Sequence, residues 1–286
     1  MPLLLAKGGH ADPYTAARLS GPKSSLRLIA APSGPPGSGY RAGVEINLDP
    51  GALTYWRTPG GAGAAPEFSF DGSANVAAIT VSYPAPERIV EDGIEAFGYR
   101  SHVIFPLRIE PKDPARPVRL ALAVSYAVCA RLCLPAKGDA KLTFVPGQAG
   151  AVADSLDAAA LRQADALVPI RLPARERDAK ITLVRAAGAR LPTWRLSAHG
   201  GKALDLFAEA PRGWYFDTRP AGRPNEFLIV EAERPQGGSP RPEVILTVKD
   251  EQQSYEFSLD LDAASQPAAN ANAAPFSTSQ PDKVSE

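Results

Sequence analysis

Val124-Ser125-Tyr126-Ala127-Val128-Cys129-Ala130-Arg131-Leu132-Cys133-Leu134-Pro135 holds both cysteines of the 286-residue chain. Upstream, Val118 to Val128 alternates apolar and other side chains, the period-2 pattern of a strand with one buried face. Downstream, Ala140 to Val145 is a second β-rich run. A strand on either side places the Cys-x-x-x-Cys pair at the end of a sheet. Four residues of extended chain cover about 13 Å at ~3.3 Å each, whereas a disulfide needs Cα atoms within about 7 Å. If Cys129 and Cys133 bond, the chain turns between them. Leu134-Pro135 then reads as an irregular segment before the next strand.

Four chemistries compete for the pair. A disulfide closing a loop of five residues removes only roughly 2 kcal/mol of unfolded-state entropy, against nearly 5 for a 100-residue loop, so it is a poor staple. A strained short ring is also the more reducible kind, and Arg131, between the sulfurs, is placed to favour a thiolate. These points favour a redox-active pair. The plainer readings are two buried free thiols and a purely structural short-loop disulfide. A metal site needs ligands beyond two thiolates, and only Met1, His10, His102 and His199 are on offer; His102 reads as an exposed or hydrogen-bonded strand residue. No cofactor is expected, since the chain has neither a Gly-rich phosphate loop after a strand nor a Gly-x-Ser-x-Gly elbow.

Outward from the pair, the chain reads as all-β. Proline (29) and glycine (24) are scattered throughout, which suits many short strands joined by turns better than long helices. Ser25–Ala31 and Tyr40–Leu48 read as strands around a turn-rich insert, Pro32–Gly39. Thr54-Tyr55-Trp56-Arg57-Thr58-Pro59-Gly60 reads as a strand end under a loop. Its two aromatics are core side chains on the plainer reading and site-lining ones on the other. Glu67–Phe70, Val76–Tyr83 and Tyr99–Ile109 are further strands. Glu87–Gly98 mixes acids, apolars and glycines without a lasting period and reads as a surface loop of the kind that carries function.

The expected organisation is a lead-in over 1–25, a first sandwich over 26–147, and an Ala-rich linker over 148–167 with a short helix near Leu156–Leu167. A second β-rich domain covers 168–262 and a disordered tail 263–286. The second block supplies about seven short strands between turns, the signature of another sandwich: Lys180–Arg185, Thr193–Ala198, Ala203–Glu209, Trp214–Asp217, Phe227–Glu233, Glu243–Lys249 and Tyr255–Leu261. It contains no cysteine.

Charge is balanced, with 31 basic and 31 acidic residues, which argues against nucleic acid or an anionic membrane as an obligatory partner. No apolar run reaches the ~18 residues of a membrane span. The start, Met1-Pro2-Leu3-Leu4-Leu5-Ala6-Lys7, is too short and too soon charged for a complete secretory signal, and reads as lead-in or the remnant of one.

An ordered set of motifs resembles a known family. It comprises Tyr55-Trp56-Arg57-Thr58-Pro59-Gly60, Tyr83-Pro84-Ala85-Pro86, Gly98-Tyr99, Phe105-Pro106-Leu107 and Tyr126-x-Val128-Cys129-x-x-x-Cys133-x-Pro135. Over roughly residues 26–147 these resemble the N-terminal periplasmic domain of DsbD, nearest to the branch in the ScsB (suppressor of copper sensitivity) proteins. The resemblance implies an immunoglobulin-like β-sandwich in the periplasm, working in thiol–disulfide interchange. Cytochrome c biogenesis and copper tolerance are the cellular settings it brings. It implies Cys129 and Cys133 as the reactive pair, thioredoxin-like proteins as electron acceptors, and a membrane-embedded donor. It also implies a cap loop with an aromatic beside acids, which falls on Val90–Phe97: Glu91 and Asp92 stand for the acids, and Phe97, or Tyr55 and Trp56 from another loop, for the aromatic. Tyr126 and Arg131 complete the expected lining. With no helical membrane domain or thioredoxin-like domain in view, a stand-alone relay fed by a separate donor is expected. The competing reading is a non-catalytic binding or assembly module, of a copper-stress kind, whose disulfide only shapes a loop.

Overall fold

Residues 19–31, 39–61, 63–91, 93–144, 156–237 and 240–263 are described in the computed structural model. The first half packs two antiparallel sheets face to face. One runs in spatial order β1 (Leu19–Gly21), β2 (Ser24–Ala31), β3 (Tyr40–Leu48), β9 (His102–Pro111), β6 (Val76–Val81). The other runs β11 (Cys133–Phe144), β10 (Val118–Cys129), β4 (Leu53–Gly60), β8 (Ile94–Arg100), β7 (Glu87–Glu91), with β5 (Glu67–Ser69) also pairing with β10. The alternation read from Val118 onward is realised: Leu120, Leu122, Val124, Tyr126 and Val128 all face the core. There they meet Leu28, Val44, Phe105 and Leu107 of the opposite sheet. Each such side chain contributes about 1.5–3 kcal/mol at most on burial, so the shared face fixes the register of every strand. This is the immunoglobulin-like sandwich that the strand pattern implies.

A second sandwich follows. One sheet is β12 (Ile170–Arg171), β19 (Tyr255–Leu259), β18 (Val244–Asp250), β15 (Ala203–Glu209); the other is β13 (Ile181–Arg185), β14 (Thr193–Ala198), β17 (Glu226–Glu233), β16 (Tyr215–Pro220). Trp194, Leu196, Ile229, Leu246 and Phe257 fill the space between them. A short helix, α2 (Ala174–Lys180), precedes β13.

Four local readings change, and the helix expected near Leu156–Leu167 is found with a packing role added. Leu19–Gly21, inside the expected lead-in, pairs with β2. Glu87–Gly98 is not a loop but belongs to the β7–β8 hairpin, with Glu91 facing Ile94 and Gly93 at φ +79°. Tyr99–Ile109 is not one strand: the chain turns at Ser101, φ +64°, and leaves the second sheet for the first. Leu134-Pro135 is not irregular but lies within β11, where Pro135 faces Ala127. Proline is tolerated there because β11 is an edge strand and one side of its backbone needs no ladder partner. Finally, the helix expected in the linker, α1 (Leu156–Ala166), lies against the outer face of the first sheet. Leu161 and Ala164 pack there on Ile29 and Ile104, while Asp157 pairs with Arg27 and Asp165 with Arg41. The remaining expectations for the lead-in before Leu19, the linker before Leu156 and the tail after Ala263 fall outside the described residues.

Candidate redox site

β10 and β11 pair without interruption from Val118 opposite Phe144 to Cys129 opposite Cys133. The cysteines are therefore the last facing pair of a hairpin closed by Ala130, Arg131 and Leu132, and they are joined as a disulfide with Cα atoms 4.0 Å apart. That removes the free-thiol reading and realises the required turn. The histidines take ordinary roles among the described residues: His102 meets Glu45 at 3.2 Å and His199 meets Thr182 at 2.8 Å.

The two sulfurs have unlike surroundings. Cys129 is 3% exposed and packs in a small apolar cluster with Leu53, Tyr55, Ile89 and Ala96. Cys133 is exposed, beside exposed Arg131 and a Leu132 that is 74% exposed. The Tyr55 hydroxyl donates to Cys129 Sγ at 2.9 Å and lies 3.6 Å from Cys133 Sγ. A polar hydrogen thus reaches the disulfide from its buried side, where the rest of the packed cluster is aliphatic.

Local backbone chemistry places that hydroxyl. Leu53 faces Cys129 across β4–β10, and the Thr54 hydroxyl donates to Ala127 O at 2.9 Å, fixing β4 against the hairpin. Tyr55 then points to the disulfide side, because strand side chains alternate. On the far edge of β4 a Cβ at Gly98 would stand 2.1 Å from Thr54 O, so only glycine lets β8 approach this closely. Beyond β4, Gly63 at φ +99° lies over the Tyr55 ring, where a Cβ would come within 2.1 Å of the ring carbons. Covered in this way, Tyr55 is 3% exposed.

Among the described side chains of the expected lining, Tyr55 and Arg131 accompany the cysteines and Trp56, Phe97 and Tyr126 do not. Trp56 points to the opposite face of β4 and packs on Phe207 of the second sandwich, ring centroids 5.8 Å apart, with the Arg57 guanidinium 4.7 Å over its ring. Phe97 does the same from β8, 5.0 Å from Phe207, on the face turned to the second sandwich. Tyr126 faces the core and shares a 2.9 Å hydrogen bond with Ser24; burial raises its phenol above the ordinary value and the Ser24 bond opposes this. Glu91 closes β7, and Asp92 lies outside the described residues. The residues that do enclose Cys129, namely Leu53, Ile89 and Ala96, were missed in the sequence. Their signal was Asp92-Gly93 between Ile89-Val90 and Ile94, the two-residue hairpin pattern that would have put Ile89 and Ala96 on one face.

Comparisons with known proteins agree with this geometry. Residues 27–144 match the family model for the thiol:disulfide interchange protein DsbD, N-terminal. No curated protein matches the chain. Among solved structures, the crystal structure of the N-terminal periplasmic domain of ScsB from Proteus mirabilis superposes with a TM-score of 0.64 at 19% identity, covering 86% of this chain and 97% of that one. At that identity the likeness is one of fold. Its breadth takes in the second sandwich as well as the first.

Proposed function

Residues 27–144 form a DsbD/ScsB-like N-terminal domain of the thiol:disulfide interchange family, and on that premise we propose that this chain relays electrons in the periplasm through Cys129 and Cys133 to thioredoxin-like proteins. The observation that carries the reading is the asymmetry of the pair: an exposed Cys133 bonded to a buried Cys129 that accepts a hydrogen bond.

The difference in exposure supports the following division of roles. With the pair reduced, the Cys133 thiolate attacks one sulfur of the partner's disulfide. That S–S bond breaks, its electron pair leaves on the partner's second sulfur, and that thiolate takes up a proton. Cys129, freed of its proton, then attacks Cys133 Sγ, reforms the internal disulfide and expels the partner's first sulfur as a thiolate, which is protonated in turn. Two electrons and two protons have passed to the partner. Recharging reverses the sequence: a dithiol donor attacks Cys133 Sγ, the only sulfur of the pair open to an incoming group, and Cys129 leaves. We assign the donor role to a membrane-embedded dithiol.

The experiment is trapping. Purified Cys129→Ala protein, reduced and mixed with periplasmic thioredoxin-like proteins in their disulfide form, accumulates a mixed disulfide through Cys133. Cys133→Ala protein accumulates far less. Absence of any mixed disulfide in both variants, with partner binding unchanged, would instead identify a binding module with a structural disulfide.

A further inference from the structure

Three strands enclose the buried sulfur, and each also faces the second sandwich. Tyr55 of β4 bonds Cys129, while the next residues, Trp56 and Arg57, meet the second sandwich. Ile89 of β7 packs on Cys129, while the preceding Arg88 reaches across. Ala96 of β8 packs on Cys129, while the following Phe97 meets Phe207. Alternation turns Tyr55, Ile89 and Ala96 to the disulfide and Trp56, Arg88 and Phe97 to the neighbouring domain, and Arg57 joins the latter where the β4 register is irregular between Tyr55 and Gly60.

The contacts across are specific. Arg57 pairs with Glu209 at 2.6 Å and Glu256 at 2.7 Å, and the Thr58 hydroxyl donates to Glu209 at 2.6 Å. Arg88 pairs with Asp205 at 2.9 Å and donates to Leu206 O at 2.8 Å and Thr218 Oγ1 at 3.0 Å. Charge-assisted, multidentate contacts of this kind fix position as well as adding energy. Phe207 wedges between Trp56 and Phe97 and counts among the buried residues of the first sandwich's own core.

We propose that the second sandwich is a positioning element for the redox pair, holding β4 so that the Tyr55 hydroxyl stays on Cys129 and sets how readily the disulfide is reduced. The inference rests on the redox reading above. When a dithiol of the thioredoxin-like class attacks Cys133, the Cys129–Cys133 bond breaks and its electron pair goes to Cys129 Sγ. The hydroxyl already aimed at that atom stabilises the new thiolate more than it did the neutral sulfur, because hydrogen bonds to charged acceptors are the stronger ones. Arg57, Arg88 and Phe207 act through Tyr55 and not on the sulfur itself.

The test is a glutathione redox titration of the full chain. Tyr55→Phe makes the disulfide harder to reduce by about tenfold in the equilibrium constant, or ~30 mV towards more negative potential. Glu209→Gln, at a side chain that binds Arg57 and Thr58 and neither sulfur, moves the equilibrium the same way. The double variant moves no further than Tyr55→Phe alone. Phe207→Leu, read the same way, covers the case in which losing one carboxylate leaves the interface closed. An unmoved equilibrium in both interface variants, within about twofold of the parent, overturns the proposal, and so do shifts that simply add to that of Tyr55→Phe. Trapping with Cys129→Ala is run alongside: if it succeeds while the coupling is absent, only the positioning role falls, whereas if it fails the relay itself falls.

Discussion

Tyr55 and Trp56 are neighbours with opposite duties, one against a sulfur and one against another domain. Period-2 alternation states that they face apart; it does not state which of two covered faces holds the disulfide. The sequence therefore placed both aromatics at the right strand and left their roles interchangeable. The same ambiguity sent Phe97 to the site, although it is Ala96, with no aromatic signal, that touches the cysteine's cluster. Glycines sharpen the point. At Gly63 both backbone and space demand glycine, φ +99° with the Tyr55 ring in the way, whereas Gly51 has φ +78° and open space around it. Gly51→Ala carries the left-handed backbone cost alone, about 1–2 kcal/mol. Gly63→Ala adds displacement of the Tyr55 ring, so it destabilises by more and, by drawing the hydroxyl off Cys129, slows reduction of the disulfide by a small thiol. Urea unfolding of the two variants and a timed reduction assay measure the difference.

At the level of elements, long alternating runs were legible and short or turning ones were not. β3 is found where the alternation of Tyr40–Leu48 puts it, and the strands of the second sandwich fall within a few residues of the seven expected ones, apart from the unexpected two-residue β12. The β7–β8 hairpin was hidden because acids and glycines break up its hydrophobic pattern. The passage from β8 to β9 was hidden because one residue, Ser101, does the turning, and nothing about a serine announces a left-handed φ. Helix α1 shows a further limit. Its apolar content is slight, mostly alanine, and its place depends on a partner surface: Leu161 lies on the strand residues Ile29 and Ile104. Leu161→Ala removes the one large side chain that α1 buries. The expected result is a loss of about 2–5 kcal/mol if unfolding is global. If the helix detaches locally, amide exchange accelerates over 156–166 while the disulfide equilibrium stays put; hydrogen-exchange mass spectrometry separates the two.

For the molecule as a whole, the joint between sandwiches matters most, and it is the part least visible in the chain. Charges separated by over a hundred residues meet there, and no local pattern pairs Arg57 with Glu209 or Arg88 with Asp205. Burial by itself pulls both guanidiniums down, and the hydrogen bonds and charges of their carboxylate partners more than reverse it, so both are held above the ordinary value. Near the joint, burial also raises the phenols of Tyr83 and Tyr99, the latter donating to Pro84 O at 2.8 Å. In the second sandwich burial, reinforced by Asp250, pushes Tyr255 from 10.0 to about 12. The unfolded chain ionises these groups near 10.0 while the folded chain keeps them protonated, so the unfolded state gives up protons first. Stability is thus undiminished by these phenols below pH 10.0 and falls as pH rises from there towards 12. Denaturant midpoints near neutrality and above pH 10.0, followed together with tyrosinate absorbance, check the sign: ionisation should accompany unfolding and not precede it.

The strand that begins at the exposed sulfur also ends the sheet. An edge twelve residues long is, in general, an invitation to other chains, since its unpaired amides and carbonyls template further strands. β11 answers with Pro135 two residues after Cys133 and with Lys137, Asp139 and Lys141 at every second place, all exposed. On the proposed relay reading, strangers must touch one sulfur repeatedly and then be let go. An edge that declines to zip onto whatever approaches keeps those meetings brief, so that contact at Cys133 ends when the electrons have moved.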